Sequence, residues 1–123
     1  MVLVDSSSWI ESIRTSGRAD VRERVRSLLA NGEAAWCNIV RLELWNGASG
    51  SGQKRVLRDL EPVVSRLEID DQTWEIAIDL AEKARVAGLT APADDVLIAA
   101  CARRHQVKIE HCDEHFRLLE KLG

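Results

Sequence analysis

Met1-Val2-Leu3-Val4-Asp5-Ser6-Ser7-Ser8-Trp9-Ile10 sets an apolar triplet directly against an acid and three hydroxyls. Such a run reads as a short buried strand, Val2 to Val4, stopped by a turn that feeds a helix. The same alternation continues outward from it. A short helix is expected around Trp9 to Arg14 and a longer one from Ala19 to Ala30, closed by Asn31-Gly32. Ala34-Ala35-Trp36-Cys37 reads as a second buried strand, and Asn38 as the cap of a helix through Glu43 and Trp45 to Gly47. Ser49-Gly50-Ser51-Gly52 reads as the most flexible stretch, before a basic helix from Gln53 to Leu60. Val63 to Ile69 is predicted as a third strand and Gln72 to Val86 as an amphipathic helix ending at Gly88. Val96 to Ala102 is apolar nearly all round and predicts a deeply buried helix. Val107 to Ile109 is the fourth strand expected, ahead of a last helix carrying Phe116, Leu118, Leu119 and Leu122.

Short apolar strands alternating with helices imply an α/β fold, a parallel sheet covered on both faces. The 123 residues suit one domain, residues 1–123, with a core that needs neither disulfides nor a structural metal. Seventeen Lys+Arg against 20 Asp+Glu give a net charge of -3, which neither advertises nucleic-acid binding nor excludes it. The three cysteines, Cys37, Cys101 and Cys112, form no Cys-x-x-Cys pair and read as free thiols in a reducing cytoplasm. The first residues have no basic lead-in and too short an apolar run for a signal peptide or membrane span, so a cytoplasmic chain without membrane contact is expected.

With 20 acids, only position carries information. Asp5 ends the first strand and Asp113 follows the fourth. Asp95 opens the most apolar helix, and Glu43 stands one turn after Ile39, where another apolar residue would fit. Carboxylates at strand exits and inward helix positions are costly unless compensated. Magnesium or manganese would compensate them, and phosphodiester hydrolysis uses such ions. Each acid also has a plainer reading: Asp5 and Asp113 as helix caps, Glu43 as the partner of an arginine such as Arg41. Of the adjacent pair, Asp94 is the expected cap and Asp95 the expected ligand.

Other chemistries find little support. His105, His111 and His115 with Cys101 and Cys112 match no common zinc spacing. The serines form no Gly-x-Ser-x-Gly elbow, no phosphate-binding glycine loop occurs, and Ser7 stands where an aspartate-nucleophile phosphatase would place its second acid.

Four segments together are distinctive. Leu3 to Ile10, the Glu43 helix, Asp95-Val96-Leu97-Ile98-Ala99-Ala100-Cys101-Ala102 and His111-Cys112-Asp113-Glu114-His115-Phe116 resemble, in order and spacing, the four motifs of PIN-domain proteins. Among these the chain is most similar to VapC, the toxin ribonucleases of VapBC toxin–antitoxin modules. The resemblance spans nearly the whole chain and includes Arg85, Gly88 and Pro92. It implies a three-layer α/β/α sandwich, a magnesium- or manganese-dependent ribonuclease, and Asp5, Glu43, Asp95 and Asp113 as the catalytic, metal-binding acids. It further implies an RNA substrate, a cognate VapB-type antitoxin and a homodimer. His111 stands where the family often has threonine, and His115 where it often has a further aspartate. The alternative reading is a catalytically inactive PIN-like adaptor that binds RNA or protein. The candidates for phosphate contacts are Arg14, Arg18, Arg22, Arg24 and Arg26, and Lys54, Arg55 and Arg58, although both runs also read as solvated helix faces. Trp9, Trp36, Trp45 and Trp74 are expected mostly in the core, with Trp9 and Trp45 also candidates to line a groove for the antitoxin's helix.

Overall fold

The structure, a computed structural model, describes residues 1–123. Four strands, β1 (Val2–Val4), β2 (Ala34–Trp36), β3 (Ser65–Arg66) and β4 (Lys108–Glu110), alternate with seven helices. The helices are α1 (Ser6–Ile13), α2 (Ala19–Ala30), α3 (Asn38–Gly47), α4 (Gly50–Leu60), α5 (Asp71–Val86), α6 (Ala93–His105) and α7 (Glu114–Glu120). Every strand pair is parallel and the order is β3-β2-β1-β4. The chain builds outward from β1 through β2 to β3, then returns to lay β4 on the other side of β1. Helices cover both faces, giving the expected α/β/α sandwich. A sheet buried on both sides cannot alternate polar and apolar residues, which is why β2 is Ala34-Ala35-Trp36 with all three buried.

One buried cluster joins the layers, with Trp9 against Trp36 at 5.7 Å between ring centroids. Helix α6 is buried continuously from Asp95 to Ala102. Helix α1 packs on α2, α5 on α6, and α7 on α6, while α3 touches both α1 and α6. The N-terminal ends of α1 and α6 are thereby set beside the same end of the sheet.

Several local expectations are corrected. The strand expected at 63–69 reduces to Ser65–Arg66, because the chain runs from a turn at Pro62 to Asp70, whose carboxylate caps α5 through Thr73. The stretch expected to be flexible, Ser49 to Gly52, instead starts α4: Gln53 folds back onto the Ser49 amide at 2.8 Å and closes the first turn. Asn38 is not a cap; Cys37 holds that position and Asn38 binds Arg41. Trp74 is half exposed on the outer face of α5.

Gly17 was not singled out by pattern, yet a Cβ there would lie 1.8 Å from the Glu11 carbonyl oxygen, so the α1–α2 turn closes only around glycine. Gly32 and Gly88 end α2 and α5 in the left-handed conformation, with paired bonds back into the last turn. Gln106 ends α6 the same way at φ 56°, which costs a non-glycine residue about 1–2 kcal/mol. Gln106→Gly is expected to stabilise the fold by about 0.5–1 kcal/mol after glycine's extra chain entropy is counted. A thermal melt unchanged or lowered by the substitution would contradict the strain.

Candidate active site

In an open parallel sheet, ligands collect beyond the carboxyl ends of the strands where the strand order reverses. Here that point lies between β1 and β4. Asp5 follows the last residue of β1 directly, and its backbone N–H donates to the Glu110 carbonyl at the end of β4 (2.9 Å). Asp113 lies three residues past β4, Asp95 in the first turn of α6, and Glu43 in the middle of α3.

Asp5 is 3% exposed and Asp95 7%. Oδ2 of Asp5 accepts from the Ser7 N–H (3.0 Å) and the Ser7 hydroxyl (2.6 Å), so Asp5 caps α1 with one oxygen. Its other oxygen, Oδ1, is buried without any partner. Asp113 caps α7 through the His115 N–H at 2.9 Å. Both acids therefore cap helices, and each carboxylate keeps an oxygen to spare.

His115 Nδ1 sits 2.9 Å from Asp95 Oδ2 and 3.0 Å from Asp113 Oδ1. It is the one cationic side chain paired with any of the four acids. Arg41, the arginine nearest Glu43 in sequence, pairs instead with Glu61. Burial, ahead of every other cause, raises the pKa of Asp5 and Asp95, and each also feels the charge of neighbouring acids. Burial, followed by the neighbouring Asp94 carboxyl, also raises Glu43, which is pushed up to about 8. His115 is raised mainly by its hydrogen bond to Asp95. These effects connect all four predicted acids electrostatically.

Asp94 departs from expectation. Pro92 holds the cap position of α6, with no side-chain bond, and the Asp94 carboxyl is turned onto Glu43. The serine run was also underread. Ser6 donates to Glu43 (3.2 Å), and Ser8 to the Glu110 carboxylate (2.7 Å). Ser7, besides holding Asp5, accepts from the Cys112 N–H (3.0 Å), tying β1 to the loop that carries Asp113. Their position after Asp5 was the only signal available, because each partner except Asp5 is distant in sequence.

The Cys/His grouping does not assemble. Cys101 contacts Cys37 in the core, His105 meets the Glu68 carbonyl, and His111 faces Glu120. The groove beside Glu43, about 220 Å³, is lined by Ile10, Ile13, Arg14, Leu44, Gln53 and Leu57. Neither Trp9, fully buried, nor Trp45 belongs to it. Of the basic residues, Arg18 pairs with Asp20, Arg24 with Asp20 and Glu110, and Arg22 donates to carbonyls of the α1–α2 turn. Arg14, Arg26, Lys54, Arg55 and Arg58 are exposed and have no acidic partner.

A buried, unpartnered carboxylate oxygen within a group of acids compensated by one imidazole fits a hard divalent cation. Asp95, Asp113 and His115 offer ligand atoms all within 4.8 Å of one another.

The PIN domain matches residues 2–122. Ribonuclease VapC11 of Mycobacterium tuberculosis is 33% identical over 126 aligned positions, covering 99% of this chain and 93% of the relative; the VapC ribonuclease Mb1587 of Mycobacterium bovis matches equally. Among solved structures, VapBC2 from Rickettsia felis, bound to a promoter DNA fragment, superposes with a TM-score of 0.80 at 18% identity, covering 99% of this chain and 96% of that one. VapBC-1 from nontypeable Haemophilus influenzae gives 0.75 at 20%, covering 100% and 96%. These likenesses carry the fold, while the family match and the 33% identical relatives carry the affiliation: the chain belongs to the PIN-domain family, among its VapC ribonucleases.

Proposed function

We propose that this chain is a divalent-metal-dependent endoribonuclease, with Asp5, Glu43, Asp95 and Asp113 as its metal-binding acids, serving as the toxin of a toxin–antitoxin pair. The observation that carries the reading is the unpartnered Asp5 Oδ1, 3% exposed as a residue, set among acids that no lysine or arginine neutralises. Magnesium or manganese bound there would supply a water activated for attack on the phosphodiester and charge for the leaving oxygen.

The chain's own residues prepare the site for this. Ser7 fixes Asp5 Oδ2 and leaves the buried Oδ1 without a partner. Ser6 holds Glu43, and burial beside the Asp94 carboxyl raises it, so the Glu43 carboxyl can take up or release a proton near neutrality. Arg14, exposed in the groove that Glu43 borders, is placed to meet a phosphate of the bound RNA. The same apolar groove suits a helix of a VapB-type antitoxin, whose seating there would block access to the acids. The relatives' names and their complexes support the ribonuclease and antitoxin parts of this reading. It places the chain in the cytoplasm with its RNA, as a homodimer.

The test is direct. The purified chain, free of any partner, is expected to cut structured RNAs when Mg²⁺ or Mn²⁺ is supplied and to leave them intact in EDTA. RNA bound without turnover in the presence of either ion would establish the adaptor reading instead.

A further inference from the structure

The family likeness places an aspartate where this chain has His115, and the structure puts that imidazole inside the acid cluster. Its Nδ1 lies 2.9 Å from Asp95 Oδ2 and 3.0 Å from Asp113 Oδ1. Two donor atoms on adjacent corners of an octahedral ion, each about 2.1 Å from the metal, are separated by about 3.0 Å. The nitrogen thus stands at that spacing from each carboxylate oxygen, and the ligand atoms of all three residues lie within 4.8 Å of one another. A second observation points to a cation beside this group: Asp5 Oδ1 is buried and unpartnered, and Asp5 feels the charge of Asp113 and acts on Asp95.

The spacing is built into the fold. Phe116, next to His115, is fully buried, and Leu119 is 1% exposed. Arg103 of α6 donates to the Leu119 and Leu122 carbonyls at 2.8 and 2.7 Å, clamping α7 to the helix that carries Asp95. The backbone that carries His115 is therefore held beside α6 by a core aromatic.

We propose that His115 is a nitrogen ligand of the divalent-metal centre beside Asp95 and Asp113, and that it biases the centre toward Mn²⁺ over Mg²⁺. The proposal rests on the metal-dependent reading above. Imidazole nitrogen suits first-row transition ions, whereas Mg²⁺ prefers oxygen and gives up its water reluctantly. An aspartate at this position would supply oxygen and remove the bias. When the ion binds, the Nδ1 proton leaves to solvent and the lone pair it occupied goes to the metal.

Pulsed EPR of the Mn²⁺-loaded, full-length chain should show the nitrogen coupling of a directly bound imidazole. The coupling should vanish in His115→Asp and persist in His111→Asn. Calorimetric titration with each ion should give a Mn²⁺-to-Mg²⁺ affinity ratio at least about tenfold larger for the parent than for His115→Asp. Bound Mn²⁺ without nitrogen coupling in the parent would overturn the ligand role and leave the metal-dependent reading standing. Failure of either ion to bind would overturn both. If His115→Asp does not fold, the parent spectrum still decides the ligation, and His115→Asn serves as the second variant for the ratio.

Discussion

Asp5→Asn is expected to lower metal-dependent RNA cleavage by more than about a hundred-fold while leaving the fold intact. Losing a residue that merely orients a metal ligand commonly costs about 10- to 100-fold, so losing a ligand's charge should exceed that. The fold should survive because asparagine caps helices as well as aspartate, and its carbonyl can keep both Ser7 bonds. The amide nitrogen would then replace Oδ1, the buried oxygen that has no partner, and a donor among carboxylates is better placed than another acceptor. The metal-free variant should therefore melt at or above the parent temperature. Asp95→Asn should behave alike in cleavage. Asp94→Asn should retain cleavage within about tenfold, since Asp94 touches Glu43 and not the Asp95–Asp113–His115 group. Purified variants, melted with and without metal and assayed on one sensitive RNA, check all three. Parent-like cleavage by Asp5→Asn would remove Asp5 from the site.

The difference between Asp94 and Asp95 marks how far the sequence could be read. Asp95 was legible because the apolar run behind it forces its helix into the core. Asp94 was misread because cap preference is local, whereas the partner it finds, Glu43, comes from a helix some fifty residues earlier. The positions of Asp5 and Asp113 were legible because Asp5 ends the buried strand β1 and Asp113 follows β4, which sets both beyond the carboxyl ends of adjacent strands. Strand β3 resisted because a two-residue strand has no periodicity to detect. Ser6, Ser7 and Ser8 looked like a generic helix start, and their separate partners emerge only when α3 and the β4–α7 loop arrive. Trp74 was expected inside because indole burial is favourable on average, yet α5 buries Thr73, Ala77, Leu80 and Ala84 and turns Trp74 outward. The approach of His115 to Asp95 and Asp113 is not written in the sequence, since no spacing rule links one histidine to two aspartates on different elements.

The same electrostatics predicts that the metal-free protein loses stability as pH rises from about 5.5 to 8, a window in which most proteins change little. Asp5, Asp95 and Glu43 have folded-state pKa values above their unfolded ones, Glu43 at about 8 against 4.5. Across this window the folded chain holds more protons than the unfolded chain, and stability therefore falls with pH. His115 acts in the same sense: its raised pKa stabilises the fold fully below about 6.5, and that contribution disappears as pH climbs through the folded value. The acids with lowered pKa values, Asp20, Glu61 and Asp70, lose their contributions only in more acidic solution and do not oppose the trend. Taken at face value the Glu43 shift alone is worth roughly 5 kcal/mol. Its side chain is only partly buried, and solvent screening reduces this to about 1–2 kcal/mol. That corresponds to a melting temperature lower by about 3–10 °C at pH 8 than at pH 5.5 in EDTA. A divalent ion replaces the protons that these groups would otherwise hold, so saturating Mn²⁺ should raise the melting temperature more at pH 8 than at pH 5.5. Melts in EDTA that stay level or rise between the two pH values would show that the acids do not strain one another, and the case for a cation among them would lose its electrostatic basis.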